Sequence, residues 1–242
     1  MMAAVGGGGK EGEVADPRQW LYGLPGGPLI EIAAGVRLHR AAVGPFRALA
    51  AAAAREGIQL AVASAHRDFE RQRVIWEEKA AGRRPVLDRE GRASLDPLAL
   101  APRERLFALL RWSAPPGASR HHWGTDLDLW DRAAGPGFRP ALTPEEYAPG
   151  GPCGRLAAWL DSGVAESLGF YRPYAEDRGG VGIEPWHLSY RPAAEECAAA
   201  FDAHRWLALL RRRRVALAEE IAEALAEVCA RYLGFGLAAT RV

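Results

Sequence analysis

The sequence is most informative at first in what it lacks. Its three cysteines, Cys153, Cys197 and Cys229, are far apart and form no CxxC pair, which excludes the usual zinc-ribbon and redox spacings. They read as small buried or half-buried thiols. Charge of one sign is missing too: 31 Lys and Arg face 30 Asp and Glu, for a formal net charge of +1. A general nucleic-acid binder carries a clear basic excess, so that class is disfavoured. The longest uninterrupted apolar run, ending at Ala54, is far too short to span a bilayer. The opening segment, MMAAVGGGGKEGEVADP, lacks the apolar core and cleavage site of a signal peptide. Residues 1–18 read as a flexible leader.

Glycine and proline are abundant: 27 and 17 of 242 residues. Their share exceeds average usage but is too low for a disordered chain, so it points to a loop-rich body. A helix is expected over 36–56, with Leu38, Ala42, Phe46, Leu49 and Ala53 at three- and four-residue spacing. Gly57 would stop it. Ile58, Leu60 and Val62 then suggest a strand. Asp68 can cap a helix running to Lys79, and Pro102 can open another reaching Trp112. Thr125, Leu127 and Leu129 alternate with Asp126, Asp128 and Trp130; a strand there puts both aspartates on one face. Cys153–Leu168 reads as one helix ending at Gly169, and Leu188 and Tyr190 as part of a strand. Ala193–Tyr232 reads as strongly helical, with Leu210, Leu217, Ile221, Leu225, Val228 and Tyr232 on one stripe.

The six histidines divide by context. His39 and His204 fall in expected helices and read as surface or partly packed side chains. His66, His121, His122 and His187 fall where the apolar pattern breaks. A catalytic zinc needs three protein ligands and an open position, and imidazole and carboxylate both suit it. His121 and Asp128 are seven residues apart, with Gly124 between them to let the backbone turn. His187 can supply a third ligand, and Glu184, three residues earlier, is close enough to act as the base of a metallohydrolase. On spacing alone, these residues could equally form hydrogen-bonded structure without metal.

The motifs decide between these readings by resemblance. Ser119-Arg120-His121-His122-Trp123-Gly124-Thr125-Asp126-Leu127-Asp128 resembles the SxHxxGxAxD signature of the VanY-type D-alanyl-D-alanine carboxypeptidases. Glu184-Pro185-Trp186-His187 resembles their ExWH signature. Ser64-Ala65-His66-Arg67, followed by Gln72, is similar to their upstream S-x-[YH]-R…Q element. The three occur in the family's order, across roughly residues 36–191. The resemblance implies an α+β fold of the hedgehog/DD-peptidase kind, a small antiparallel sheet flanked by helices. It would be followed here by a C-terminal helical extension, giving a catalytic domain over 19–192 and a tail over 193–242. It implies a zinc peptidase: His121, Asp128 and His187 as metal ligands, Glu184 as base on zinc-bound water, and Arg67 against the substrate's carboxylate or scissile carbonyl. Ser119, Gln72 and Trp186 match positions near the substrate cleft. The implied substrate is a peptidoglycan stem peptide ending in D-Ala-D-Ala.

Two positions depart or duplicate. Asp126 stands where the family usually has alanine, and could orient a ligand histidine or compete for the metal. His122 adjoins His121; spacing favours His121 as ligand, leaving His122 to line the cleft or pack. Related chemistries on the same signatures are L,D-carboxypeptidase, endopeptidase and dipeptidase activity, and a zinc-retaining binding module without turnover. Arg211–Arg214 reads as a solvated face flanked by glutamates rather than a polyanion site. The expected substrate lies outside the inner membrane. The chain as written would stay in the cytoplasm; a start further upstream would place it in the cell envelope.

Overall fold

A computed structural model describes residues 16–236; most of the expected leader, 1–15, and the last residues, 237–242, lie outside them. After a 3-10 turn over Gln19–Tyr22 comes a hairpin of β1 (Leu29–Ala33) and β2 (Val36–His39), followed by α1 (Arg40–Arg55). The helix expected from Val36 therefore starts four residues late. His39 ends the strand and caps the helix, its Nδ1 accepting from Ala41 N at 3.2 Å. Next come β3 (Leu60–Ser64) and α2 (Phe69–Ala80), whose cap is Asp68, accepting from Arg71 N. A two-residue pair, β4 (Val86–Leu87) with β5 (Ser94–Leu95), precedes α3 (Pro102–Leu110).

The main sheet forms around β6 (Asp126–Asp131). Then follow α4 (Pro144–Tyr147), α5 (Gly154–Leu160), α6 (Val164–Ser167), β7 (Phe170–Tyr171) and β8 (His187–Tyr190). The expected helix over Cys153–Leu168 is thus broken at residues 161–163, where Gly163 takes φ +85°. The four antiparallel strands run in the order β3-β6-β8-β7. After β8 the chain forms α7 (Arg191–Ala200), α8 (Ala203–Arg212), α9 (Ala218–Glu223), α10 (Leu225–Val228) and a π turn over Cys229–Leu233. The long helix expected to Tyr232 is therefore several short ones. The break before α9 falls at Leu217, left-handed at φ +64°.

Alternation along β6 and β8 decides the packing. Leu127, Leu129 and Leu188 point to one face, where they join Phe46, Leu49, Leu156, Leu160 and Phe170 in a buried cluster under α1 and α5. Asp126, Asp128, His187 and Ser189 point to the other. A second cluster closes over that side: Phe69, Trp76, Leu106, Leu109 and Leu110 pack with Trp206, Leu210, Ile221 and Val228 from the last helices. The α2–α3 body and the C-terminal helices thus share one apolar core. Indole N–H groups are satisfied across it, Trp76 to Ala216 O at 2.8 Å and Trp206 to Pro116 O at 2.9 Å. All three cysteines are free and buried. Among the described residues no helix is long and apolar enough to cross a membrane.

Candidate metal centre and its cavity

The register of the sheet assembles the centre. Asp128 pairs across the strands with His187 on one side and Ser64 on the other. Directly opposed residues share a face at about 5 Å, so this one rung holds two of the expected ligands. The third comes from the 3-10 turn Arg120–Trp123, ended by Gly124 at φ +71°. A Cβ on Gly124 would lie 2.5 Å from Leu29 Cδ2 and 2.8 Å from His39 N, so only glycine lets the turn lie against the hairpin. His121, Asp128 and His187 are all buried, each offering one ligand atom within 4.8 Å of the others. Asp126 is not in this cluster.

The hydrogen bonds fix which nitrogen each ring presents. His121 Nδ1 donates to Ala65 O at 2.8 Å, leaving Nε2 3.3 Å from Asp128 Oδ2. His187 is the reverse: Nε2 donates to Asp126 Oδ1 at 2.9 Å, leaving Nδ1 3.3 Å from Asp128 Oδ1. Asp128 Oδ1 is buried without a hydrogen-bond partner. A carboxylate with one orphaned oxygen, flanked by the inward nitrogens of two imidazoles, is a donor set that suits a divalent cation, zinc above all. Burial alone would raise the Asp128 carboxyl, but the two imidazoles hold it far below the usual carboxylate range. Burial alone would lower His187; Asp126, Asp128 and Glu184 outweigh it and raise the imidazole well above 6.5.

Asp126 stands behind His187. It is fully buried and takes Arg120 Nε at 2.9 Å, Thr125 Oγ1 at 2.5 Å and Ser189 Oγ at 3.1 Å as well as the imidazole. Arg120 also donates to Tyr171 Oη and Ser189 Oγ, both at 2.7 Å. Burial opposes ionisation of Asp126, but Arg120 and His187 keep it charged. His122 turns away from its neighbour. Its Nδ1 donates to Arg67 O at 2.6 Å and its Nε2 accepts from Gly117 N at 2.9 Å. Burial holds it neutral, with its pKa down at about 3. Trp123 is buried in the second core, donating to Leu21 O.

In front of the centre lies a cavity of about 350 Å³. Glu184 lines it with Oε2 3.1 Å from His187 Nδ1; the turn bond His187 N to Glu184 O brings the two side chains together. Arg67 lines it 4.0 Å from Asp128 Oδ2. Its guanidinium donates to Gln72 Oε1 at 2.7 Å and Ser64 Oγ at 2.9 Å. Gln72 is itself buried and anchored on Ala114 O at 2.6 Å. Ser119 and Trp186 are buried residues of the cavity wall. All eight expected site residues therefore meet at one cavity. Two further wall residues carry no motif. Tyr174 lies edge-on to the His187 ring at 4.9 Å, with burial raising its phenol to about 12. Lys79 reaches in from α2. Lys79 lies seven residues after Gln72, on the same helix face, and that spacing was a readable signal. Tyr174 sits in an irregular loop with none. Away from the cavity, Arg211 pairs with Glu219 at 2.6 Å and Arg213 with Glu70 at 3.3 Å.

Comparison with known proteins follows the same lines. Residues 35–193 match the family model described as VanY, D-alanyl-D-alanine carboxypeptidase. An uncharacterized protein of Haemophilus influenzae is 39% identical over 88 residues, covering 35% of this chain and 66% of that protein. VanYB in complex with D-alanine-D-alanine superposes with a TM-score of 0.51 at 22% identity, over 82% of this chain and 90% of that one. The LD-carboxypeptidase LdcB gives 0.51 at 21% identity, over 83% and 80%. At these identities the two structures establish a shared fold.

Proposed function

The chain belongs to the VanY D-alanyl-D-alanine carboxypeptidase family, and on that premise we propose that it is a zinc peptidase cleaving the terminal D-Ala-D-Ala bond of peptidoglycan stem peptides. The observation that carries this reading is the buried His121–Asp128–His187 cluster with Glu184 3.1 Å from the inward nitrogen of His187. His121 Nε2, Asp128 and His187 Nδ1 would hold the metal. Zinc bound there supplies Lewis-acid chemistry, acidifying a water and polarising a carbonyl.

The chain's own groups do the rest. Glu184 accepts the proton of the attacking water and returns it to the leaving amine. Arg67 stays charged and presents a planar fork. Gln72 and Ser64 hold that fork beside Asp128, so its remaining N–H groups can meet the oxygen on which charge develops or the peptide's terminal carboxylate. Trp186 and Tyr174 wall the centre and limit access of bulk water. Asp126 keeps the Nε2 proton of His187 in place, so that Nδ1 faces the metal.

The test is incubation with defined tetra- and pentapeptide stems, with and without a chelator, followed by mass spectrometry. Loss of one alanine from the pentapeptide, abolished by the chelator, is expected. Cleavage of the tetrapeptide alone would make the enzyme an L,D-carboxypeptidase. Chelator-resistant cleavage would overturn the metal's role. Glu184→Gln is expected to retain metal and lose turnover by at least about 10²-fold, the low end for a positioned base.

A further inference from the structure

Among the described residues, one cation in the cavity wall, Lys79, has no ion-pair partner. Gln72, Ile75 and Lys79 line the cavity from successive turns of α2. Among the described residues the only hydrogen-bond partner of the Lys79 ammonium is the Ser113 hydroxyl, 2.6 Å from Nζ. That hydroxyl donates onward to Trp112 O at 2.7 Å, so it accepts one of the three ammonium hydrogens and leaves two. Glu184 acts on Lys79 across the cavity without forming an ion pair. Arg84, also in the wall, is already paired with Glu78. Burial lowers Lys79 to about 8, so at neutral pH it remains mostly protonated.

Seven residues of helix separate Gln72, which grips Arg67, from Lys79, about 10 Å along the axis. An extended peptide advances about 3.5 Å per residue. A peptide whose scissile carbonyl lies at Arg67 therefore meets Lys79 with a group more than one residue away. A side chain on the residue preceding the D-Ala-D-Ala pair has the right reach.

We propose that Lys79 is a specificity residue that binds a carboxylate on the side chain of the residue preceding D-Ala-D-Ala, making stem peptides with an acidic third residue the preferred substrate class. The proposal rests on the peptidase reading above, and its test separates the two. The probes are three acetylated tripeptides, X-D-Ala-D-Ala, with X as L-2-aminoadipate, norleucine or lysine. Binding is measured by calorimetry on zinc-loaded Glu184→Gln protein, and kcat/KM on the otherwise unaltered enzyme.

The aminoadipate peptide is expected to bind about 10- to 100-fold tighter than the norleucine peptide, the scale of one charge-assisted hydrogen bond. The lysine peptide should be weakest. In Lys79→Met the aminoadipate-to-norleucine ratio should fall to near 1, and Lys79→Arg should restore most of it. Equal binding of aminoadipate and norleucine peptides, or a ratio unchanged by Lys79→Met, overturns the proposal. So does weakening of both peptides alike with an altered pH profile, which would make Lys79 a modulator of Glu184. Discrimination in binding without hydrolysis by the unaltered enzyme would leave the anion site standing and sink the peptidase reading. Hydrolysis without discrimination would do the reverse.

Discussion

Nε2 of His187 lies 2.9 Å from Oδ1 of Asp126, and Arg120 Nε lies at the same distance from the same oxygen. One carboxylate oxygen thus balances a buried guanidinium and chooses the tautomer of an expected metal ligand. Asp126→Asn keeps the volume and removes the charge. Metal affinity is expected to drop about 10- to 100-fold, read by competition with a chromogenic chelator. Arg120 would be left buried without its counter-ion, at a stability cost of about 3–5 kcal/mol in urea unfolding. Unchanged metal affinity would remove Asp126 from any role in orienting His187.

Arg67 is held at two different nitrogens, by Gln72 Oε1 and Ser64 Oγ. Arg67→Lys keeps charge but cannot reproduce that fork. It is expected to cost about 10²-fold in kcat/KM, about 3 kcal/mol of transition-state stabilisation, with metal content unchanged. Near-normal turnover in Arg67→Lys would show that only the charge matters.

His122 gives a pH signature. Its pKa falls from 6.5 to about 3 on burial, so the unfolded chain takes up the proton first as pH drops. Its contribution to stability is therefore complete above about 6.5 and lost progressively between about 6.5 and about 3. His66, lowered to about 4 by burial, adds in the same direction. His122→Gln offers one donor and one acceptor in place of the imidazole and does not titrate. The variant should show a flatter fall of urea midpoint with acid over that window. An identical slope would assign the acid sensitivity elsewhere.

His187 has the opposite sign. Its pKa is raised well above 6.5 by Asp126, Asp128 and Glu184 against the effect of burial. In metal-free protein its contribution is present below about 6.5 and is lost as pH rises through the raised value. A metal must displace that proton. Zinc uptake near neutral pH is expected to release about one proton, measurable by calorimetry in buffers of different ionisation enthalpy, and affinity should rise with pH. Uptake without proton release would mean that His187 is already neutral.

The C-terminal helices are expected to be needed for folding. Trp206, Leu210, Ile221 and Val228 close the cluster that holds Phe69, Trp76 and Leu106, and Leu233 and Phe235 reach the cavity wall. A chain ending at Pro192 would expose that cluster. Loss of the cooperative thermal transition is expected, and a sharp transition near that of the full chain would show the helices to be dispensable.

Much of the centre was legible in the sequence because strand alternation is rigid. Two aspartates two residues apart in a strand must share a face, and Asp126 and Asp128 do. What alternation could not reveal was their division of labour, which depends on pairing: Asp128 faces His187, whereas Asp126 faces Ser189. Helix boundaries were less legible. Val36–His39 passes from strand to helix with no breaker, since His39 serves both. The apolar stripe through Leu217 continues in sequence across a left-handed residue that is not glycine, so nothing in the composition marks the break. Lys79 could be placed on a helix face from spacing, but only the tertiary wall of Trp112 and Ser113 reveals that this face looks into a cavity.

The Arg120–Asp126 pair has a consequence beyond geometry. Its side chains are 9% and 0% exposed, so mobile counter-ions cannot approach either charge. Ionic strength screens what solvent can reach and little else. Added salt should therefore leave the orientation of His187 untouched while weakening attraction between the open cavity and an anionic peptide. The chain carries, in effect, one set of charges insulated from its medium and another that reads it.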